Sequence, residues 1–228
     1  MVLKANTDQF VADAERHERT WSGAAFWWRW VGATTLGWVI GYAITGALAG
    51  LTGESETPLI RGAGTVTALV TIGLQWVVIR PWLVRAWRWI PVSFAGEAIG
   101  LALLLATQVL LRNLLGGETV IPEALVELLV TALPTAILQW LLLRTVAQRA
   151  WRWLLANLFW IVLFIPVVLF FALLGAAGAD DRGATVTGIG PAVTQAGISA
   201  VIGAILGFIA SAITGAEMAW LLRHQKER

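Results

Sequence analysis

Long apolar stretches alternate with short polar ones along most of the chain. A membrane-spanning helix needs about 20 mostly apolar residues, and six stretches meet this length: 31–51, 59–79, 92–111, 122–143, 154–175 and 194–221. Glycine, proline and acidic residues mark the turns between the first and second, third and fourth, and fifth and sixth stretches. The pattern predicts an all-α, polytopic membrane protein with one membrane domain over residues 1–228.

The composition agrees with a membrane protein and argues against several kinds of reactive site. Hydrophobic residues make up 58% of the chain and charged residues 13%, against about 25% charged in soluble proteins. There is no cysteine, and the two histidines, His17 and His224, lie near the chain ends. The sequence therefore predicts no metal site, no cofactor and no enzyme activity. No block of basic residues is long enough to suggest a nucleic-acid partner.

The first 27 residues differ from the rest because they are rich in charged side chains. Their polarity predicts that no cleavable signal peptide opens the chain. Apolar positions such as Phe10 and Val11 suggest a short amphipathic helix on the membrane surface. A flexible, solvated tail fits the same residues equally well, so segment 1–27 is predicted to be amphipathic or flexible.

Basic residues indicate how the six spans are oriented. Of the 16 lysine and arginine residues, only Arg61, Arg112 and Arg182 fall on one face of the predicted spans. The others lie near the two termini, between spans two and three, and between spans four and five. Short loops rich in arginine and lysine remain in the cytoplasm. We therefore expect a bacterial inner-membrane protein with both termini in the cytoplasm.

The sequence contains an internal repeat. Residues 67–89 align without a gap with 131–153, and more than half of the paired residues are identical, including Gln-Trp at 75–76 and 139–140. The segment Trp-Arg-Trp occurs three times, at 28–30, 87–89 and 151–153. The repeat predicts three tandem helical hairpins, at about 28–86, 87–150 and 151–223. Repeats of this kind are common in transporters, and they also occur in structural proteins.

The ending Gln-Trp-x-x-Ile/Leu-Arg at 75–80 and 139–144, followed by a Trp-rich turn, resembles a group of uncharacterised multi-pass membrane proteins from photosynthetic and related bacteria. The resemblance covers the first two repeats well. It is weaker in the third, where Ala219 replaces glutamine. It implies an association with energy-converting membranes.

Tryptophan and arginine are concentrated near the predicted cytoplasmic boundary. Of the 14 tryptophans, only Trp38 and Trp160 lie deeper in a predicted span. The three Trp-Arg-Trp segments predict a surface for lipids or partner subunits: Trp28, Arg29, Trp30, Trp87, Arg88, Trp89, Trp151, Arg152 and Trp153. Bound lipid is expected there, and a bound pigment is an alternative.

Polar residues inside the apolar stretches are candidates for a ligand site, because intramembrane polarity is costly and usually has a role. The candidates are Glu97, Glu127, Glu217, Gln75 and Gln139. A structural role competes for each of them. The glutamines can join neighbouring helices by hydrogen bonds, and Glu97 or Glu127 can be satisfied by a nearby polar side chain.

A ladder of small residues runs along the sixth span: Ser199, Gly203, Gly207, Ser211 and Gly215. Small residues four apart let two helix backbones approach closely. The ladder predicts a tight helix interface, either within this chain or with another copy or subunit.

Two functions fit these features. The first is a non-catalytic accessory or scaffold subunit of a larger inner-membrane complex, photosynthetic or otherwise energy-converting, with lipids and other membrane subunits or further copies of itself as partners. The alternative is a small transporter or substrate-binding membrane component with three pseudo-symmetric hairpins. The repeat and the intramembrane Glu97 favour the alternative, whereas the small-residue ladder and the Trp/Arg surface favour the scaffold.

Overall fold

A computed structural model describes residues 23–53, 58–83, 85–115, 123–177 and 187–224. These residues form six α-helices and one short 3₁₀ turn. The helices are α1 (Gly23–Thr52), α2 (Pro58–Ile79), α3 (Trp89–Leu115), α4 (Glu123–Leu143), α5 (Trp151–Ala177) and α6 (Ile189–Arg223), with the 3₁₀ turn at Ala86–Arg88 directly before α3. The described residues contain no β-strand, so the predicted all-α class is confirmed.

The six helices coincide with the six predicted apolar stretches, and the largest differences are at two helix starts. Helix α1 begins at Gly23 rather than near residue 31, and α6 begins at Ile189 rather than near residue 194. Hydropathy places both starts too late because polar and small residues can continue a helix beyond its apolar centre. Residues 23–27 of the predicted N-terminal segment are thus part of α1, and residues 1–22 lie outside the described residues.

The described residues between the helices use backbone conformations suited to tight turns. Gly53 follows α1 in the left-handed region, with φ 71°, where glycine is favoured at a helix end. Arg85 and Arg149, at equivalent positions in the repeat, share a left-handed conformation with φ of 63° and 55°. The carbonyl of each accepts a hydrogen bond from the arginine three residues later. The repeated sequence therefore forms the same turn twice.

The helices form a closed ring. Each helix packs against the next one in the chain, and α6 packs against α1. The α1–α6 contact is the most extensive, followed by α3–α4 and α1–α2. The ring brings the beginnings of α1, α3 and α5 to one end of the bundle, together with the last turns of α2, α4 and α6. We call this the tryptophan end.

Two helix pairs are joined by the same contact. On α1, Gly37 and Gly41 face Thr71 and Thr67 of α2. On α3, Gly96 and Gly100 face Thr135 and Thr131 of α4. A Cβ atom at any of the four glycines would collide with the facing threonine. The missing side chains therefore allow close antiparallel packing.

The third repeat departs from this arrangement. The positions that correspond to the paired glycines, seven and eleven residues after the last Trp of Trp-Arg-Trp, are Trp160 and Phe164. Both are buried, and their ring centroids lie 6.3 and 5.9 Å from that of Trp38 on α1. The two aromatic side chains do not fit into the close helix contact that two glycines allow. Helix α5 consequently packs less extensively on α6, and α6 packs on α1 instead.

The outer surface of the ring is apolar. Large hydrophobic side chains are exposed along α3, α5 and α6, for example Leu105, Val109, Phe159, Val162 and Val201. Three helical segments, Gly23–Thr52, Ala86–Leu110 and Ile189–Arg223, are long and apolar enough to cross a membrane. Shorter apolar segments occur at Thr65–Ile79, Leu129–Leu143 and Trp151–Val167.

Candidate functional site

Three tryptophans meet at the centre of the ring. Trp30, Trp89 and Trp153 each end a Trp-Arg-Trp segment, and they are 0, 0 and 2% exposed. Their ring centroids are 6.0, 6.1 and 5.9 Å apart, with interplanar angles of 79, 85 and 74°. Edge-to-face pairs at this distance are attractive. The almost equal distances give the tryptophan end a pseudo-threefold centre, which we call the tryptophan triad.

The triad corrects part of the predicted lipid or partner surface. Trp28, Trp87 and Trp151 are 61, 61 and 53% exposed, in agreement with a surface role. Trp30, Trp89 and Trp153 are instead buried. Residues two apart in a helical turn point to nearly opposite sides, because each residue rotates by about 100°. Each segment therefore directs one tryptophan outward and the other into the bundle.

A polar layer lies about one helical turn beyond the triad. Thr34, Ser93 and Asn157 each follow a triad tryptophan by four residues, or roughly 6 Å along the helix. The amide of Gln75 donates a hydrogen bond to Thr34 (3.2 Å). In the second repeat the amide of Gln139 donates to Ser93 (2.8 Å). The predicted stitching of neighbouring helices by the two glutamines is thus present, and both bonds join the two helices of a pair.

In the third repeat Asn157 is bonded differently. Its amide donates to the carbonyl of Trp153 (2.8 Å), and its side-chain oxygen accepts from the indole of Trp160 (3.2 Å). The residue at the glutamine position is Ala219, which has no amide to offer. Both of these hydrogen bonds of the Asn157 side chain therefore stay within α5.

Next to the polar layer, the six helices line a partly open cavity of about 250 Å³. The cavity reaches from Trp153 of the triad past Glu97 of α3, and its lining comes from all six helices. Most of the lining side chains carry a hydroxyl, an amide or an indole: Thr34, Thr67, Thr71, Thr131, Thr135, Thr214, Gln75, Gln139, Asn157, Trp38, Trp153 and Trp160. The bundle is thus apolar outside, and the cavity at its centre carries polar groups set among apolar surface.

Glu97 is the only charged side chain among the described residues that line this central cavity. It follows Gly96, whose close contact with α4 brings α3 near to Thr135. The hydroxyl of Thr135 donates a hydrogen bond to Oε1 of Glu97 (3.1 Å). The corresponding positions in the other repeats are Trp38 and Ile161, so the carboxylate makes the cavity asymmetric.

Two polar groups of the lining residues have no protein partner among the described residues. They are the hydroxyl oxygen of Thr71 and the indole nitrogen of Trp153, both buried. Leaving a buried polar group unpaired costs about 1–3 kcal/mol. Both atoms have almost no accessible surface, so a molecule in the central cavity cannot contact them without a shift of the helices.

The other predicted ligand candidates lie elsewhere. Glu217 does not line the central cavity. Its Oε1 is 2.7 Å from Nε of Arg152, whose guanidinium also lies 3.9 Å from the ring centroid of Trp220. Glu217 is therefore paired with Arg152 at the tryptophan end, away from the central cavity. The side chain of Glu127 lies outside the described residues.

The small-residue ladder of α6 faces α1. A Cβ at Gly203, Gly207 or Gly215 would meet Tyr42, Trp38 or Trp30, respectively. Ser199 lies against Gly46, and the hydroxyls of Ser211 and Thr35 are 3.2 Å apart. The tight interface predicted for this ladder is thus formed within the chain, where it closes the ring.

The weak contact between α5 and α6 leaves a groove on the outside of the bundle. Its volume is about 710 Å³, and its lining is mostly apolar, including Leu155, Phe159 and Ile213. Arg149, Arg152 and Glu217 border it.

Sequence reasoning identified Glu97, Gln75 and Gln139 but missed the rest of the lining. The threonines escaped notice because a single hydroxyl is common in an apolar helix. Their signal was their recurrence at 67 and 71 and again at 131 and 135 in the aligned repeats. The polar residue four positions after each triad tryptophan gave a second signal.

Among the described residues, no group of three His, Cys, Asp or Glu side chains could hold a metal ion. Comparison of the chain with protein-family models, with curated proteins and with solved structures gives no match.

Proposed function

We propose that this chain is a small transporter, or a substrate-binding component, of the bacterial inner membrane, and that a small polar solute binds in the central cavity. The observation that carries the proposal is a central cavity that holds a carboxylate, amides and hydroxyls, inside a bundle whose outer surface is apolar. A scaffold needs helix interfaces but has no use for a cavity lined by hydroxyls, amides and a carboxylate.

In this proposal all six helices cross the membrane as three hairpins. The shortest, α4, has 21 residues, and at 1.5 Å per residue it extends over roughly 31 Å, enough for a hydrocarbon core of about 30 Å. The exposed hydrophobic side chains then face lipid, and the arginines of the tryptophan end lie at the cytoplasmic boundary. Both termini are cytoplasmic.

Cysteine labelling tests this orientation, and the chain has no native cysteine to interfere. We expect Ser55→Cys and Ala179→Cys to react with a membrane-impermeant maleimide added to intact cells or spheroplasts. Pro81→Cys and Gln148→Cys, at exposed positions of the two arginine-rich turns, should react only after the membrane is permeabilised. Reaction of Gln148→Cys in intact spheroplasts would place the tryptophan end outside.

The repeat and the cavity together support transport rather than a purely structural role. In many transporters, repeated helix units surround a substrate site near the middle of the membrane. Here the pairs α1–α2 and α3–α4 make matched contacts, and residues from both pairs line the central cavity. The tryptophan triad lies at one end of this cavity, so solute passage toward the cytoplasm requires the triad to separate.

Ligand-dependent stability tests the proposed binding. We expect at least one solute from a panel of small cationic, neutral and anionic compounds to raise the unfolding temperature of the purified protein. A ligand at 100 times its Kd stabilises by about 2.7 kcal/mol. Ala68→Phe should abolish the effect because Ala68 lines the central cavity. The matched variant Leu69→Phe, at an exposed position on the same helix, should keep it.

The scaffold function makes a different prediction for the same preparation. A scaffold should co-purify with stoichiometric partner subunits in mild detergent, and no solute should stabilise it. A pigment-binding subunit would also show visible absorbance. These outcomes, together with an unchanged unfolding temperature across the panel, would reject the proposed transporter. The resemblance to proteins of photosynthetic bacteria stays a prediction.

A further inference from the structure

We propose that the solute is a small organic ammonium ion, bound by the carboxylate of Glu97 and by the indole rings that line the central cavity. This inference rests on the proposed function and adds the chemical class of the ligand. It is carried by the charge and the aromatic content of the lining.

The charge of the lining favours a cation. Glu97 is the one acidic side chain that lines the central cavity among the described residues, and no lysine or arginine of the described residues joins it there. Among the described residues, the hydrogen bond that Glu97 accepts comes from the neutral hydroxyl of Thr135. A buried carboxylate is normally paired with a positive charge. A cationic solute supplies the counter-charge that the described lining lacks.

The aromatic content favours an organic ammonium ion over a metal ion. Trp38, Trp153 and Trp160 all line the central cavity, and indole faces attract ammonium groups within about 6 Å. The cavity of about 250 Å³ is several times the roughly 30 Å³ that one water occupies in the liquid. A bare metal ion would leave most of this space unfilled, whereas an ammonium ion with carbon substituents can contact the carboxylate and the rings together.

The volume of the cavity, about 250 Å³, favours a compact ammonium ion. Choline, ethanolamine and tetramethylammonium are small ions of this class, and we therefore choose them as probes.

Isothermal titration calorimetry of the purified full-length protein tests the inference. The probes are choline, ethanolamine, tetramethylammonium, sodium ion and 3,3-dimethylbutan-1-ol, which has the shape of choline without its charge. The variants are Glu97→Gln and the control Glu217→Gln, which removes the same charge at a position outside the central cavity.

We expect at least one of the three organic cations to bind, with an affinity at least tenfold higher than those of the neutral alcohol and sodium. Glu97→Gln should weaken its binding at least tenfold, and Glu217→Gln should leave it within twofold. Equal binding of choline and the neutral alcohol, preferred binding of sodium, or unchanged binding in Glu97→Gln would overturn the inference.

The failure of the inference can be told apart from the failure of the proposed function. If a neutral or anionic solute binds and Ala68→Phe removes that binding, the proposed function stands and only the cation assignment is wrong. If no solute of any charge binds to the wild-type protein, both are wrong.

Discussion

Replacing Trp89 by alanine should destabilise the protein by about 3–5 kcal/mol, the range for truncating a buried large aromatic side chain. The indole of Trp89 is fully buried and contacts the rings of both Trp30 and Trp153. Its loss leaves a hole at the point where α1, α3 and α5 meet. Titration of the purified protein with sodium dodecyl sulfate, followed by circular dichroism, measures the loss.

The neighbouring residue Trp87 provides the matched control. It belongs to the same Trp-Arg-Trp segment but is 61% exposed, so Trp87→Ala should change the stability much less. The two variants remove the same side chain, two residues apart. Similar losses for both would show that the buried triad does not hold the helix ends together.

Gly207→Leu should have the second large effect, because it should prevent closure of the ring. A Cβ at Gly207 would lie 2.8 Å from the Cβ of Trp38 and 3.1 Å from the Cα of Thr35. Even alanine would require the helices to shift, and leucine adds three more carbon atoms. Overpacking of this kind costs about 1–3 kcal/mol or more. We expect a strong loss of folded, monodisperse protein in fluorescence-detected size-exclusion chromatography.

Gly197→Leu is the control, since it makes the same change on the same helix. A Cβ at Gly197 meets nothing within 4 Å, and leucine is a better helix former than glycine. This variant should give a wild-type yield. If Gly207→Leu were equally well tolerated, the ladder of α6 would not pack on α1 as described.

The hydropathy pattern was sufficient to find the six helices because each is a long apolar stretch bounded by turn residues. It was also sufficient to find Glu97, Gln75 and Gln139, since a polar side chain is conspicuous in such a stretch. Hydropathy could not separate Trp87 from Trp89, because both are aromatic and close to the same boundary. Their difference depends on which side of the helical turn faces the other helices.

The closure of the ring by α1 and α6 could not be predicted from the sequence for a different reason. The aligned repeats suggested three equivalent hairpins, but Trp160 and Phe164 replace the glycines that join the first two pairs. The consequence, that α6 packs on α1, depends on contacts between residues about 170 positions apart, such as Gly207 and Trp38. The ion pair of Arg152 with Glu217 is hidden from the sequence in the same way, because its partners lie on different helices.

The central proposal is that a water-accessible cavity carrying polar groups lies inside a membrane-spanning bundle, and adjacent residues of α4 test it directly. Ala132 lines the central cavity, whereas Leu133 is exposed on the apolar surface. In membrane vesicles, a charged methanethiosulfonate reagent should modify Ala132→Cys much faster than Leu133→Cys, because the reagent reacts with thiolates that water can reach. Equal and slow modification of both cysteines would contradict the account, since the centre of the bundle would then be as dry as its surroundings.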